Sequence, residues 1–151
     1  MKQYRHTFRV NAPLSAVADF HSSTAALRQL SPPPMIVQFQ NIEPLAEGSI
    51  SDFTMWLGPL PIRWVAVHSD VTDLHGFTDS QQQGPYRSWV HQHTFREIDS
   101  NTTEVIDEIQ AEPGNLISRF MWPSLPILFA YRGWKTRRVL AGNSKARVNS
   151  P

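Results

Sequence analysis

The chain contains no cysteine. That absence excludes a disulfide framework, a zinc–thiolate site and a cysteine nucleophile. Long hydrophobic runs are missing too: nothing approaches the roughly 18 apolar residues of a membrane-spanning helix, and Pro, Arg or His interrupts the longest apolar windows. Charge of one sign is not in excess, with 14 Lys and Arg against 13 Asp and Glu and a formal net charge of +1. No clustered basic face marks a nucleic-acid partner. A Gly-rich phosphate loop and a G-x-S-x-G elbow are both absent, so nucleotide chemistry and a serine hydrolase have no support. The segment Met1 to Asn11 is polar and alternating, unlike the apolar core of a signal peptide. A cytoplasmic location is therefore the expectation.

What is present is a chain of 151 residues with 40% hydrophobic residues, enough for one domain with a real core. Its five Trp and twelve Pro are high for that length. Proline clusters at Pro32 to Pro34, Pro59/Pro61 and Pro123/Pro126 mark breaks between elements. Tyr4 to Val10 alternates as a first strand, and Pro13 suits the first turn of a helix that carries Leu14, Val17, Ala18 and Phe20 on one face. Ser22-Ser23-Thr24 reads as a cap for a second short helix, Ala25 to Leu30.

From Met35 the period changes to two. Strands are predicted over Met35–Ile42, Ser49–Leu57, Ile62–Asp73, Phe77–Gln83, Tyr86–Glu97 and Thr102–Ala111, joined by short turns and hence antiparallel. Leu116 to about Leu140 has helical spacing, with Leu116, Phe120, Leu125, Leu128, Phe129 and Trp134 as an apolar stripe and Pro123 and Pro126 as an interruption. The organisation is α+β: a strongly bent antiparallel sheet of six to seven strands wrapping a long C-terminal helix. Residues 1–141 form the expected domain, and 142–151 a polar, flexible tail.

The stretch F-T-D-S-Q-Q-Q-G-P-Y-R-S-W-V-H-Q-H-T-F, Phe77 to Phe95, carries the chemistry. Alternation places Phe77, Asp79, Gln81 and Gln83 on one face, and Trp89, His91, His93 and Phe95 on one face of the return strand. Large aromatics thus share a sheet face with ionisable groups, the composition of a ligand cavity wall. A hairpin centred on Gly84 would pair Asp79 with His93, Gln81 with His91, Phe77 with Phe95 and Gln83 with Trp89. The next turn would bring Asp107 opposite His91 or His93. Asp79, His91, His93 and Asp107 then form one patch, read either as an acid–base site or as a buried polar ladder that sets register.

Val10 to Phe20 (V-N-A-P-L-S-A-V-A-D-F), Phe77 to Phe95 and Thr103 to Ile109 (T-E-V-I-D-E-I) resemble the START/Bet v 1-like (SRPBCC) superfamily, and within it the polyketide cyclase/dehydrase-like ligand-binding branch. The resemblance spans roughly Lys2 to Leu140. It implies a helix-grip fold with a deep cavity between sheet and long helix, and a small hydrophobic, lipid- or polyketide-like molecule as partner. A cavity of several hundred Å³ would be ordinary. Candidate ligand-binding residues are Phe53, Met55, Trp64, Phe77, Gln81, Trp89, Phe95, Phe120 and Phe129. A rival reading is a cofactor-free aromatase/cyclase or dehydratase, with His91 or His93 as acid or base and Asp79 or Asp107 orienting it. Another is a non-catalytic interaction module with a closed core.

The spacing His91-x-His93-x3-Glu97 also matches a cupin metal pattern, but Glu97 lies next to a turn and the helices do not suit a jelly roll. No metal and no cofactor is expected. Arg119 and Arg132 could anchor an acidic ligand group, although the solvated edge of the helix is the commoner place for them. Monomer and homodimer both remain open, with Trp56 a candidate dimer surface.

Overall fold

A computed structural model describes residues 1–148. The chain opens with β1 (Lys2–Val10), α1 (Leu14–Ser22) and α2 (Thr24–Gln29). Six strands follow: β2 (Ile36–Ile42), β3 (Ile50–Leu57), β4 (Leu60–Thr72), β5 (Gly76–Gln83), β6 (Tyr86–Asp99) and β7 (Thr102–Pro113). Two helices close it, α3 (Leu116–Met121) and α4 (Leu125–Val148), joined by a 3-10 turn over Trp122–Ser124. The strands form one antiparallel sheet in the order β1-β7-β6-β5-β4-β3-β2. This is the predicted α+β helix-grip arrangement. No helix among the described residues is long and apolar enough to cross a membrane.

Local chemistry explains the boundaries. Ser23 caps α2, its Oγ accepting from the Ala26 N–H at 3.2 Å. Asn115 and Ser118 form a reciprocal capping box at the start of α3. Pro123 sits in the 3-10 turn that links α3 to α4. The observed stripe differs from the predicted one. The buried residues of α4 are Leu125, Phe129, Gly133, Thr136 and Leu140, at helical spacing. Leu116, Phe120 and Trp134 lie outside that stripe and are exposed. Helix α4 continues past Leu140 to Val148; of the tail expected over 142–151, residues 149–151 lie outside the described residues.

Two apolar clusters occupy the concave face. Phe8, Val10, Val17, Phe77, Phe95, Val105 and Leu140 belong to one. Val37, Phe53, Trp64, Trp89, Ile109, Leu125 and Phe129 belong to the other. Along β6, Trp89 lies in the second cluster and Phe95 in the first, with His91 and His93 between them. Along β7, Asp107 lies between Val105 and Ile109. Period-two alternation therefore drives a polar belt through the middle of the core.

The β5–β6 register differs by two residues from the pairing expected of the Gly84 hairpin. Phe77 pairs with His93, Asp79 with His91 and Ser80 with Val90. The ladder stops there because the Gln81 side chain takes over: its Nε2 donates to the Tyr86 carbonyl at 2.7 Å, and its Oε1 accepts from the Tyr86 N–H at 3.3 Å. An even shift leaves every side chain on its expected face. Across the next pair, His93 lies opposite Asp107 and His91 opposite Ile109.

Candidate functional site

Asp79, His91, His93 and Asp107 come together as one buried cluster. His91 Nε2 donates to Asp107 Oδ1 at 2.9 Å, and His93 Nε2 donates to Asp79 Oδ2 at 3.0 Å. His93 Nδ1 lies 3.1 Å from the same Asp107 oxygen, but off the hydrogen-bond axis, so this contact is electrostatic rather than directional. His91 Nδ1 is 3.6 Å from Asp79 Oδ2, too long for a hydrogen bond. The two imidazoles lie against one another with centroids 3.8 Å apart. Phe77 stacks on His93 at 4.4 Å, and Phe129 meets His91 edge-on at 5.4 Å.

The environment drives the two histidines apart in basicity. Burial alone would lower His93, but Asp107 and Asp79 more than reverse it, raising its pKa to about 9. Burial and the charge on His93 hold His91 below its usual value, against the pull of the same carboxylates. Both carboxylates are lowered: burial opposes ionisation, and the histidines overcome it. At neutral pH the cluster therefore holds two carboxylates, a protonated His93 and a neutral His91. A neutral His91 that donates through Nε2 keeps Nδ1 as a bare lone pair. Its two rings differ in protonation state, the arrangement that assigns an acid and a base.

A cavity of about 200 Å³ adjoins this cluster. It is smaller than the several hundred Å³ the resemblance implies. Its walls come from the sheet (Phe53, Met55, Trp64, Ala66, Phe77, Trp89), from the end of α3 (Met121), from α4 (Leu125, Leu128, Phe129), and from α2 (Ala26, Leu27). Asp79, His91 and His93 supply polar atoms on its floor, while Asp107 sits behind the histidines, not in the lining.

Six of the nine predicted ligand-binding residues line the cavity: Phe53, Met55, Trp64, Phe77, Trp89 and Phe129. Three do not. Gln81 is turned onto the hairpin backbone. Phe95 is 2% exposed in the neighbouring core cluster, behind the ring of His21 at 5.0 Å. Phe120 is 77% exposed: the inward face runs through Ser118, Met121, Leu125 and Phe129, and Phe120 lies off it. Trp56 is half-buried, its Nε1 donating to Gln38 Oε1 at 3.0 Å.

Three cavity residues carry little sequence signal. His21 on α1 donates through Nδ1 to the Val17 carbonyl at 2.9 Å, and burial lowers its pKa to about 4. His68 on β4 is held by Ser49, with Nδ1 3.0 Å from both the hydroxyl and the carbonyl oxygen. Arg132 reaches the cavity from α4, not the solvated edge expected for it, with its guanidinium 5.2 Å from the Phe129 ring. Its place three residues beyond Phe129 was the available clue, since i and i+3 share a helix face.

Asp79, His91 and His93 each offer a metal-ligand atom within 4.8 Å of the others. Glu97, the third member of the cupin spacing, is exposed at the far end of β6. The His93 nitrogens already face carboxylates, so an ion there would have to displace the proton that His93 holds.

No family model and no curated protein matches the chain. Solved structures do. An aromatase/cyclase from Streptomyces superposes with a TM-score of 0.69 at 13% identity, covering 99% of this chain and 96% of that one. Norcoclaurine synthase from Thalictrum flavum, in complex with dopamine and hydroxybenzaldehyde, gives 0.66 at 14% identity, covering 93% and 87%. A nucleoside-diphosphate sugar epimerase from Corynebacterium glutamicum gives 0.73 at 21% identity over 96% of this chain, which matches 30% of that longer protein. With its sheet order, its interrupted C-terminal helices and these likenesses taken together, the chain has the helix-grip fold of START/Bet v 1-like proteins.

Proposed function

We propose that the chain binds a small hydrophobic molecule in the cavity between sheet and α4. The observation that carries this reading is the lining itself: aromatic and aliphatic side chains from the sheet and the helices, interrupted by a few polar groups that include Asp79, His91 and His93. Apolar walls supply affinity and a few placed polar groups supply orientation. A molecule with one polar functional group on an aromatic or aliphatic body fits that pattern. The Thalictrum neighbour, of the same fold, is described with two small aromatic molecules. Native mass spectrometry of freshly purified protein tests the proposal: a co-purifying small molecule lost on Trp64→Ala or Trp89→Ala substitution is the expected result.

The split between His91 and His93 favours one second reading, an enzyme of the cyclase or dehydratase type. His91 Nδ1 would take a proton from carbon beside a carbonyl, and protonated His93 would serve as the acid. The carboxylates hold both rings in place. Turnover of an identified substrate that survives His91→Gln unchanged would remove this reading and leave binding intact.

A further inference from the structure

Arg132 brings to the cavity a donor with no hydrogen-bond acceptor and, unlike His93 Nδ1, no carboxylate beside it. Arg132 Nε is buried and has no hydrogen-bond partner. Among the described residues, no carboxylate lies within 4 Å of the Arg132 guanidinium. Asp107 and Asp79 are the carboxylates whose charge acts on Arg132, and both already face His91 and His93. Arg132 is half-buried as a residue, but a buried N–H left unpaired, as its Nε is, costs free energy because it loses water without replacement. Nor is the group free to swing away at no cost, since it lies against the face of Phe129, whose ring is 1% exposed.

From this we infer that the cavity takes an acid-headed ligand: an aromatic or aliphatic carboxylate whose head group lies on Arg132 and whose body lies among Phe53, Trp64, Trp89 and Leu125. The inference rests on the cavity-binding reading and names its ligand class. A carboxylate suits the site better than a neutral carbonyl for two reasons. It neutralises the cation, and its two oxygens match the planar fork of a guanidinium. Protonated His93 faces both Asp79, which lines the cavity, and Asp107, which lies behind the histidines, and offsets one of these two charges, so the incoming acid does not meet two uncompensated negative charges.

The test compares 1-naphthylacetate with its methyl ester, two probes of the same body that differ in charge. Binding is read from the quenching of Trp64 and Trp89, which line the cavity. Wild-type protein should bind the acid about tenfold or more tightly than the ester, as expected for a charge-assisted hydrogen bond. Arg132→Gln should abolish that preference while leaving ester affinity within about twofold. Arg132→Lys, which keeps the charge and loses the fork, should retain part of it; this variant stands in if Arg132→Gln does not fold. Equal affinity of wild type for acid and ester, or an acid preference that survives Arg132→Gln, overturns the acid-head assignment while cavity binding stands. If wild type binds neither probe, the cavity-binding reading falls and takes this inference with it.

Discussion

Asp79 accepts its hydrogen bond from His93, at 3.0 Å, although its backbone partner across the hairpin is His91. The carboxylate thus reaches diagonally, and Asp107 does the reverse: it lies opposite His93 and accepts from His91 at 2.9 Å. This crossed pairing ties three adjacent strands together through side chains alone, at the point where the two apolar clusters meet. It also means that each histidine is influenced by both carboxylates.

The first prediction concerns pH. His93 has a folded pKa raised from 6.5 to about 9, so its stabilisation is full below about 6.5 and is lost as pH rises through 9. His21 has a folded pKa lowered from 6.5 to about 4, so its contribution is present above 6.5 and is lost as pH falls through 4. Asp79 and Asp107, both lowered, add to the acid loss below their ordinary range. Thermal melts should therefore show greatest stability near neutral pH, with a decline toward pH 9 on the order of 3 kcal/mol from His93. His93→Gln should flatten that alkaline limb; an unchanged limb would contradict the assignment.

A second prediction separates the two carboxylates. Asp107 has a side chain 7% exposed and stands between both histidines, whereas Asp79 is 19% exposed. Asp107→Asn should cost about 2–4 kcal/mol and lower the His93 titration midpoint seen by NMR. Asp79→Asn should lower the same midpoint at a smaller cost in stability.

A third prediction tests the strand contact that positions His93. Gly76 adopts a φ of +123°, and a Cβ placed there would stand 1.9 Å from the His93 carbonyl oxygen. Gly76→Ala must part β5 from β6 at the histidine pair. A loss of about 2 kcal/mol or more, with a displaced His93 resonance, is the expected outcome.

A fourth prediction contrasts two phenylalanines of the C-terminal region. Phe129→Ala should cost about 3–5 kcal/mol, as for a buried aromatic that leaves a hole. Phe120→Ala should fall within about 0.5 kcal/mol of wild type, as for an exposed side chain. Denaturant unfolding of both variants checks the pair.

Much of this architecture is legible in the residues. Alternation along Tyr86 to Phe95 is strong enough to place Trp89, His91, His93 and Phe95 on one face, and it survives a two-residue error in hairpin pairing because the error is even. The error itself was not legible. It arises from the Gln81 side chain substituting for a backbone ladder, a tertiary choice among three consecutive glutamines. Phe120 stands five residues before Leu125, off the i, i+3, i+4 face through Ser118, Met121, Leu125 and Phe129, so its apolar character alone does not place it in the stripe. Phe95 and Phe77 show why a shared face is not a shared cavity: one fills a core cluster and the other also touches the void. Arg132 carries one faint sequence signal, its place three residues beyond Phe129, and the packing of α4 over the sheet turns it inward.

The central claim is that the cavity is a binding site, and a cavity-filling substitution tests it most directly. Ala66 is 4% exposed on the cavity wall. Titration with neutral N-phenyl-1-naphthylamine should give saturable fluorescence enhancement in wild type. Ala66→Phe, with its far-UV circular dichroism unchanged, should lose that enhancement. Equal enhancement in both proteins, or none in wild type, would contradict the account.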